Sequence, residues 1–124
     1  MEGSLKIKEI SYVHSEAYAA SSLKHGPFAL LDATMPVILL HTDITQEHKI
    51  MNCYEEIASR KSPIIVITPF RSIQKPNTIY IPYNKMFSHL LALIPLQLIA
   101  YHLAIHHEHN PDTPRNLAKV VTVE

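Results

Sequence analysis

The stretch PVILLHTDITQEHKIMNCYEEIASRKSPIIVITP, residues 36–69, decides the fold of this protein. It contains two continuously apolar runs, PVILLHT (36–42) and PIIVITP (63–69). Both are rich in β-branched residues and bounded by proline or aspartate, which is typical of buried strands. Residues 45–59 between them have helical spacing, with Thr45 and His48 forming only an imperfect capping box. Strand, helix and strand in this order predict a parallel sheet covered on both faces.

Elements on either side extend this pattern. NTIYIPY (77–83) predicts a third, shorter strand, and FALLD (28–32) predicts a helical turn. The fold class is therefore α/β, with a short parallel sheet of about three strands flanked by helices. Doubly wound sheets usually have five or more strands. We therefore interpret the chain as part of an α/β domain.

The C-terminal third begins with a long apolar segment. From Phe87 to about His107 apolar residues lie nearly all round a predicted helix, so we expect it to be well buried. Pro95 should kink this helix or delay its start. The tail from Asn110 to Glu124 is expected to be extended, or to form a short turn and then extend.

Composition excludes several classes of function. The 124 residues are 47% apolar, and 11 basic residues balance 11 acidic ones. The chain therefore has no net positive charge that would attract nucleic acid, and we expect no nucleic-acid partner. The single cysteine, Cys53, excludes an internal disulfide and predicts a reducing, cytoplasmic location, with the thiol as a small buried hydrophobe. The run LLALIPLQLIAY contains Pro95 and Gln97 and is too short for a bilayer, so no membrane partner is expected. With two glycines in the chain, we find no loop that would wrap a phosphate.

The N-terminal segment places charges near an apolar face. We predict a helix from about Leu5 to Leu23, stopped by His25, Gly26 and Pro27. Its face consists of Ile10, Val13, Ala17 and Ala20, with Lys6 inside the sector and Glu9 and Glu16 at its edge.

Each of these polar residues has two interpretations. Lys6 and Glu9 form either a helix-surface ion pair, or a general base, Glu9, tuned by a nearby lysine. His25 is either a polar helix-end residue favoured by the helix dipole, or an acid–base histidine on a loop held by the Gly-Pro that follows.

A histidine cluster follows the long helix. His102 and His106 have zinc-ligand spacing, and His107 and His109 lie nearby. The sequence has no HExxH motif and no partner cysteine, so we interpret the cluster as a solvated helix end. We expect neither a metal nor a cofactor.

Two long stretches resemble a known family. These are LKIKEISYVHSEAYAASSLKHGPFALLD (5–32) and PLQLIAYHLAIHH followed by TPRNLAKVVTVE, within 95–124. They are similar to the isomerising glutamine–fructose-6-phosphate aminotransferases, or glucosamine-6-phosphate synthases, and the ending PRNLAK-x-VTVE is highly specific. The resemblance covers essentially the whole chain. It implies that residues 1–124 are the C-terminal portion of a sugar-isomerase (SIS) domain, an αβα sandwich, ending in the active-site tail 114–124.

The resemblance also implies roles for four residues. The family channels ammonia from glutamine to fructose-6-phosphate and isomerises the product to glucosamine-6-phosphate. In its motif K-x-x-E-I-S-Y, the lysine (Lys6 here) and the glutamate (Glu9) line the sugar site, and the glutamate is the isomerisation base. The histidine of L-K-H-G-P, His25 here, serves ring opening and acts on the neighbouring subunit's sugar. The lysine of R-N-L-A-K, Lys119 here, forms a Schiff base with the sugar carbonyl.

Departures from the family limit what we expect of the chain alone. The glutaminase domain, the first sugar-isomerase domain and the Ser/Thr-rich phosphate loops have no counterpart, and the usual AAGELKHGP is AASSLKHGP here. We therefore expect an inactive part of the isomerase half. It would act on a sugar phosphate only as a homodimer or with an upstream SIS half. The alternative is a non-catalytic SIS-derived module or relic that docks on a synthase. A stand-alone sugar-phosphate sensor is disfavoured by the missing phosphate loop.

Overall fold

The computed structural model describes residues 1–116, which divide into two compact units. The sheet unit runs from Tyr18 to Pro95. The helical unit combines Met1–Ala17 with the chain from Leu96 onward.

The sheet unit has the three parallel strands that the sequence predicts. β1 is Val37–Leu40, β2 is Ile64–Thr68 and β3 is Thr78–Tyr80, in the order β1-β2-β3. Helix α2, Glu47–Ala58, joins β1 to β2 after a 3₁₀ turn at Ile44–Gln46. The α/β fold class is thereby confirmed.

The start of this connection differs from the predicted capping pair. The Asp43 carboxylate accepts hydrogen bonds from the Thr45 backbone N–H at 2.9 Å and from its hydroxyl at 2.7 Å. These bonds lower the pKa of Asp43. Asp43 therefore caps the 3₁₀ turn, whereas α2 itself begins after Gln46 without a side-chain cap, so the capping box of Thr45 and His48 is not formed.

The core of the sheet unit lies between α2 and the strands. Its buried residues are Leu39, Cys53, Ile57, Ile64, Val66 and Ile73. Cys53 is a free, buried thiol, as predicted, and burial raises its pKa. The thiolate that nucleophilic chemistry needs is therefore disfavoured, which agrees with a packing role.

Two 3₁₀ segments precede the sheet. They are Ala20–His25 and Pro27–Leu30, so the predicted helical turn in FALLD is confirmed. Gly26 separates them with φ 143° and ψ −51°, a conformation that side-chain-bearing residues rarely adopt. Glycine is therefore required at the predicted stop, although what it stops is a 3₁₀ turn.

The first helix is shorter than predicted. α1 is Glu2–Ser11, and residues 12–19 have no helical structure. The expected face of Ile10, Val13, Ala17 and Ala20 is therefore wrong; the buried positions of α1 are Gly3, Ile7 and Ser11. The helix ends because Tyr12 adopts the left-handed conformation, with φ 57° and ψ 13°.

The long apolar helix is interrupted and only partly buried. α3 is Ser88–Leu91 and α4 is Leu93–His106, with Pro95 in the first turn of α4. Proline has no N–H to donate to the Leu91 carbonyl, which explains the break at Ala92 and confirms the effect expected of Pro95.

The expectation that this helix is well buried is wrong. Only 28% of its most apolar 18-residue window is buried. α4 buries Leu96, Ala100 and Ala104, while Ile94, Leu98, Tyr101 and Ile105 remain about half exposed. We call these four exposed residues the α4 stripe.

The membrane argument from the sequence also needs correction. Ser88–His106 has 19 residues and is long and apolar enough to cross a membrane by length and composition. The run between Leu90 and Tyr101 alone is too short, but the helix extends beyond it. One such helix is weak evidence for a span, because core helices of soluble proteins pass the same test.

Candidate functional site

Helix α1 brings together two of the four predicted site residues. The Lys6 ammonium Nζ donates to Glu9 Oε2 at 2.7 Å, and Glu2 Oε1 lies 3.6 Å from the same ammonium. Residues three or four positions apart lie on one side of a helix, so the pair follows directly from the sequence spacing. The predicted ion pair is therefore present.

The pair lies at a partly exposed surface of the helical unit. The side-chain exposure is 35% for Lys6 and 20% for Glu9. Hydrogen bonding to Glu9 raises the pKa of Lys6, so the lysine is a fixed cation. The cation orients one carboxylate oxygen of Glu9. Among residues 1–116, the hydrogen bond described for the Glu9 carboxylate is the one that Oε2 accepts from Lys6.

Glu16, the other carboxylate near the predicted face, lies outside α1. Its Oε1 is 3.7 Å from His14 Nε2, in the segment that follows the helix. Because α1 ends at Ser11 instead of continuing to Leu23 as predicted, Glu16 does not share a helix face with Lys6 and Glu9.

Serine hydroxyls hold the segment after α1 against the helix. Ser4 Oγ donates to the Ser15 carbonyl oxygen, and Ser15 Oγ donates to the Ser4 carbonyl oxygen, both at 2.8 Å. Ser11 Oγ donates to the Ile7 carbonyl oxygen within the last turn. These bonds satisfy backbone oxygens near the Lys6–Glu9 pair and fix the reversal of the chain that the sequence pattern did not predict.

The end of α1 also holds two residues that the sequence analysis missed. The Arg115 backbone N–H donates to the Tyr12 phenol oxygen at 2.8 Å, and the Arg115 guanidinium carbon lies 4.1 Å from the centre of the Tyr12 ring. The His109 ring centre is 4.6 Å from that of Tyr12. Tyr12 lies in the motif K-x-x-E-I-S-Y and Arg115 lies in P-R-N. Their places in these motifs were the one sequence feature that could have pointed to them.

The structure describes His25 but not Lys119. His25 is exposed at the end of a 3₁₀ segment in the sheet unit, next to Gly26. Lys119, with most of the predicted tail 114–124, lies outside the described residues. The roles of all four predicted residues stay predictions.

The histidine cluster forms ring contacts rather than a chelate. The ring centres of His106 and His107 are 5.5 Å apart, and those of His107 and His109 are 6.0 Å apart and stacked. Among residues 1–116 no group of three or more histidine, cysteine or acidic side chains could hold a metal ion. His109 instead packs on Tyr12.

Polar residues also meet at the carboxyl end of the sheet, where α/β proteins commonly bind ligands. His41 is fully buried after β1; its Nδ1 lies 3.4 Å from Thr68 Oγ1, and its Nε2 has no partner among the described residues. Burial lowers the pKa of His41. Thr42 Oγ1 is 2.5 Å from His89 Nδ1. Sequence analysis missed this group because each histidine is isolated in the sequence.

Comparison with known families identifies the fold. The sequence model of the SIS domain family matches residues 1–107 of this chain. The C-terminal domain of glucosamine-fructose-6-phosphate aminotransferase from Francisella tularensis superposes with a TM-score of 0.82 at 34% identity, covering 90% of this chain and 33% of that one. A glucosamine-6-phosphate deaminase from Thermotoga maritima gives a TM-score of 0.73 at 28% identity, covering 97% and 35%.

Curated aminotransferases of the family that the two motifs resemble are similar to this chain along nearly its whole length. A probable isomerising glutamine–fructose-6-phosphate aminotransferase of Acanthamoeba polyphaga mimivirus is 56% identical over 99% of this chain and 21% of its own length. The isomerising glutamine–fructose-6-phosphate aminotransferase of Chlorobaculum tepidum is 48% identical over 100% of the chain and 21% of its own length. The resemblance is therefore confirmed, and the chain spans about a fifth of the length of these relatives.

Proposed function

The chain belongs to the SIS domain family, and we propose that it supplies part of a sugar-phosphate isomerase site. In this proposal the Glu9 carboxylate moves a proton between adjacent sugar carbons. The substrate is fructose-6-phosphate and the product glucosamine-6-phosphate, with nitrogen supplied as ammonia. The names of the aminotransferase relatives support this choice of reaction.

One observation carries the proposal, the Lys6–Glu9 pair on α1. The carboxylate is oriented by a lysine one turn away and is only partly exposed. Isomerisation needs a base that takes a proton from one carbon and returns it to the next, and one positioned carboxylate serves both steps. A free carboxylate on a mobile side chain would lack this orientation.

Two further residues contribute to the proposed chemistry. His25, which the resemblance assigns to the neighbouring subunit's sugar, is exposed in the sheet unit, where a histidine can exchange a proton with a sugar oxygen during ring opening. Lys119 would form an imine with the open-chain carbonyl. Within residues 1–116 there is no Ser/Thr cluster opening a regular helix to hold the phosphate. We therefore propose that the rest of an isomerase half, from the same or another polypeptide, completes the site.

A grafting experiment tests this function. The segment of the Chlorobaculum tepidum enzyme that matches residues 1–124 is replaced by this chain, and formation of glucosamine-6-phosphate from fructose-6-phosphate and glutamine is measured. At 48% identity over the whole segment, the graft should fold and retain activity. A soluble, dimeric or larger graft with no activity, beside an active parent, would refute the proposal.

The alternative from the sequence, a non-catalytic module that docks on a synthase, is favoured by the α4 stripe. Its four half-exposed apolar side chains fit a surface that another protein segment covers. In the grafting experiment this alternative predicts an assembled but inactive enzyme. Both functions would be carried out in the cytoplasm, as the single buried thiol suggests.

A further inference from the structure

His25 lies between two short 3₁₀ segments. It ends the first, Ala20–His25, and Gly26 separates it from the second, Pro27–Leu30. Hydrogen bonds in 3₁₀ helices have poor geometry, and glycine has the widest choice of backbone conformations. The imidazole is exposed, so neighbouring side chains do not enclose it. Its placement therefore depends on what holds the backbone on either side of Gly26.

The C-terminal end of α2 contacts this segment on both sides of Gly26. Before the glycine, Lys24 Nζ lies 2.7 Å from Glu56 Oε1. After it, the Arg60 guanidinium carbon lies 4.3 Å from the centre of the Phe28 ring. All of these residues belong to the sheet unit. We call Glu56 and Arg60 the α2 clamp.

Both residues of the α2 clamp are held in place by the helix. Glu56 lies in the last turn of α2, and Arg60 lies two residues after its end. The Arg60 backbone N–H donates to the Ile57 carbonyl oxygen at 3.0 Å, and its guanidinium donates to the Glu56 carbonyl oxygen. Ile57 is fully buried in the core of the sheet unit. The position of the clamp is therefore set by a helix end that is packed on this core.

Apolar contacts also hold the His25 segment, but they constrain its direction less. Leu23 and Phe28 pack against the core of the sheet unit. Apolar burial is non-directional, whereas an ion pair and a cation over a ring have preferred geometries. An exposed ion pair contributes little to overall stability. Loss of the clamp should therefore leave the sheet unit folded while the His25 segment shifts.

We infer that Glu56 and Arg60 are positioning residues for His25 in ring opening. This inference rests on the proposed function, in which His25 exchanges a proton with a sugar oxygen. Proton transfer needs the histidine within hydrogen-bond reach, and a misplacement of about 1 Å can lower a rate about 10²-fold. Both residues lie outside the stretches that carry the family resemblance, 5–32 and 95–124, so no motif assigns them a role.

Removing one contact of the α2 clamp should have a modest but measurable effect. An exposed ion pair shifts a local equilibrium by at most about fivefold, and an exposed cation–π contact by about two- to fivefold. Glu56→Ala and Arg60→Gln should therefore each lower kcat about two- to fivefold, and the double variant should lower it about tenfold.

The test measures kcat in the grafted enzyme for these variants and for two matched controls. Glu55→Ala removes an exposed ion pair of the same helix, in which Lys75 Nζ lies 2.7 Å from Glu55 Oε1. Arg71→Gln removes a guanidinium whose carbon lies 4.1 Å from the centre of the Tyr80 ring. Neither contact involves residues 20–30, so both controls should keep kcat within twofold of the parent graft.

Two further readouts separate positioning from a general structural role. In a His25→Gln background the α2 clamp variants should lower kcat no further, because no imidazole is left to place. A structural role would lower kcat by the same factor in both backgrounds. Amide hydrogen exchange of the peptide covering residues 20–31 reports the segment without needing activity. It should be faster in the clamp variants than in the two controls.

Three outcomes would overturn the inference and leave the proposed isomerisation intact. They are wild-type exchange in both clamp variants, faster exchange with wild-type kcat, and an equal loss of kcat with and without His25. An inactive wild-type graft would refute the proposed function, and with it the role of the clamp in ring opening. The exchange measurement would then still show whether the α2 clamp holds the His25 segment.

Discussion

Lys6 Nζ lies 2.7 Å from Glu9 Oε2 across one turn of α1, and the structural and catalytic interpretations of this pair predict different consequences of mutation. As a partly exposed helix pair it contributes only about 0.2–0.5 kcal/mol to stability. As a positioned base it would contribute about 10²–10⁴-fold to the rate. A variant that keeps its stability but loses its activity separates the two.

The first prediction compares Glu9→Gln with Glu16→Gln in the grafted enzyme. Glu9→Gln should lower glucosamine-6-phosphate formation at least about 100-fold, because the amide cannot accept the proton. Its thermal midpoint should stay within a few degrees of the parent's. Glu16 is outside α1, so Glu16→Gln should retain near-parental activity. If Glu16→Gln loses activity and Glu9→Gln does not, the assignment of the base is wrong.

The second prediction concerns the close approach of α1 and α4 in the helical unit. A Cβ atom added at Gly3 would lie 2.6 Å from Leu96 Cδ1 and 3.1 Å from both Leu96 Cβ and Cγ. Gly3→Ala should therefore destabilise the protein by about 1–3 kcal/mol, although alanine is intrinsically the better helix former. Urea denaturation of the grafted enzyme measures the change.

Leu96→Ala provides the control for that collision. In a double-mutant cycle, Gly3→Ala should cost less when residue 96 is alanine, because the contacts with Leu96 Cδ1 and Cγ are removed and only the 3.1 Å contact with Cβ is left. Additive effects of the two substitutions would show that the predicted collision is relieved elsewhere.

Particular residues explain how far the sequence could predict this structure. The β-branched runs at residues 36–42 and 63–69 predicted β1 and β2 correctly. A buried parallel strand is a continuous apolar run, so it can be recognised from local sequence without knowing its partner strand. α1 was predicted too long, because Val13 and Ala17 continue its period by coincidence. The bonds between Ser4 and Ser15 and the conformation of Tyr12 end it, and neither has a periodic signature.

The candidate site shows the same division. Lys6 and Glu9 could be paired from spacing alone, because a helix brings neighbours one turn apart together. The Tyr12–Arg115 contact could not, since no local rule relates positions that are 103 apart. The exposure of the α4 stripe was missed because an all-apolar helix normally indicates burial, and composition does not identify what covers it.

The third prediction concerns acid stability through His41. The imidazole is fully buried beside Phe70, and its Nε2 has no partner among the described residues. Burial lowers the pKa of His41, against weaker opposing effects of Glu47 and Asp43. The unfolded state therefore binds a proton at higher pH than the folded state does. This contribution to stability is complete above about pH 6.5, the usual histidine value, and is lost as the pH falls below it.

Urea midpoints at pH 8 and pH 5 measure this effect. His41→Gln should lose less stability than the wild type between these two pH values, even if it is less stable at pH 8. His102→Gln is the matched control, because His102 is exposed on α4. An equal loss of stability in His41→Gln and the wild type would show that other groups cause the acid sensitivity.

The fourth prediction concerns self-association of the isolated chain. The α4 stripe and the two open edges of the sheet leave apolar and backbone groups unpaired in the described residues. Sedimentation velocity should therefore show concentration-dependent species above the monomer mass of 14.1 kDa.

Leu98→Lys tests whether the α4 stripe causes the association. A charge in the stripe should shift the distribution towards monomer, because covering it would bury an unpaired ammonium. Met86→Lys adds the same charge at an exposed position outside α4 and should have little effect. A wild-type chain that remains monomeric at about 50 μM would contradict the predicted self-association. If Leu98→Lys associates like the wild type, the α4 stripe does not cause the association.

The last prediction is an imine at Lys119. The resemblance assigns this lysine to the sugar carbonyl, and its neighbours in sequence are Leu117, Ala118, Val120 and Val121. A Schiff-base lysine must be neutral to attack, and poorly hydrated surroundings favour the neutral amine. The amine would add to the C2 carbonyl of open-chain fructose-6-phosphate and lose water. Borohydride would then reduce the C=N bond to a stable secondary amine, which mass spectrometry locates.

In the grafted enzyme we expect the adduct at Lys119 in clear excess over the other lysines of the chain, which serve as internal controls. In the isolated chain little adduct should form, because the described residues provide no cluster to hold the phosphate and the sugar would dissociate before it reacts. Glucosamine-6-phosphate should compete with trapping in the graft, since it occupies the same site. Equal labelling of Lys119 and surface lysines such as Lys49 in both preparations would mean that the C-terminal lysine has no catalytic role.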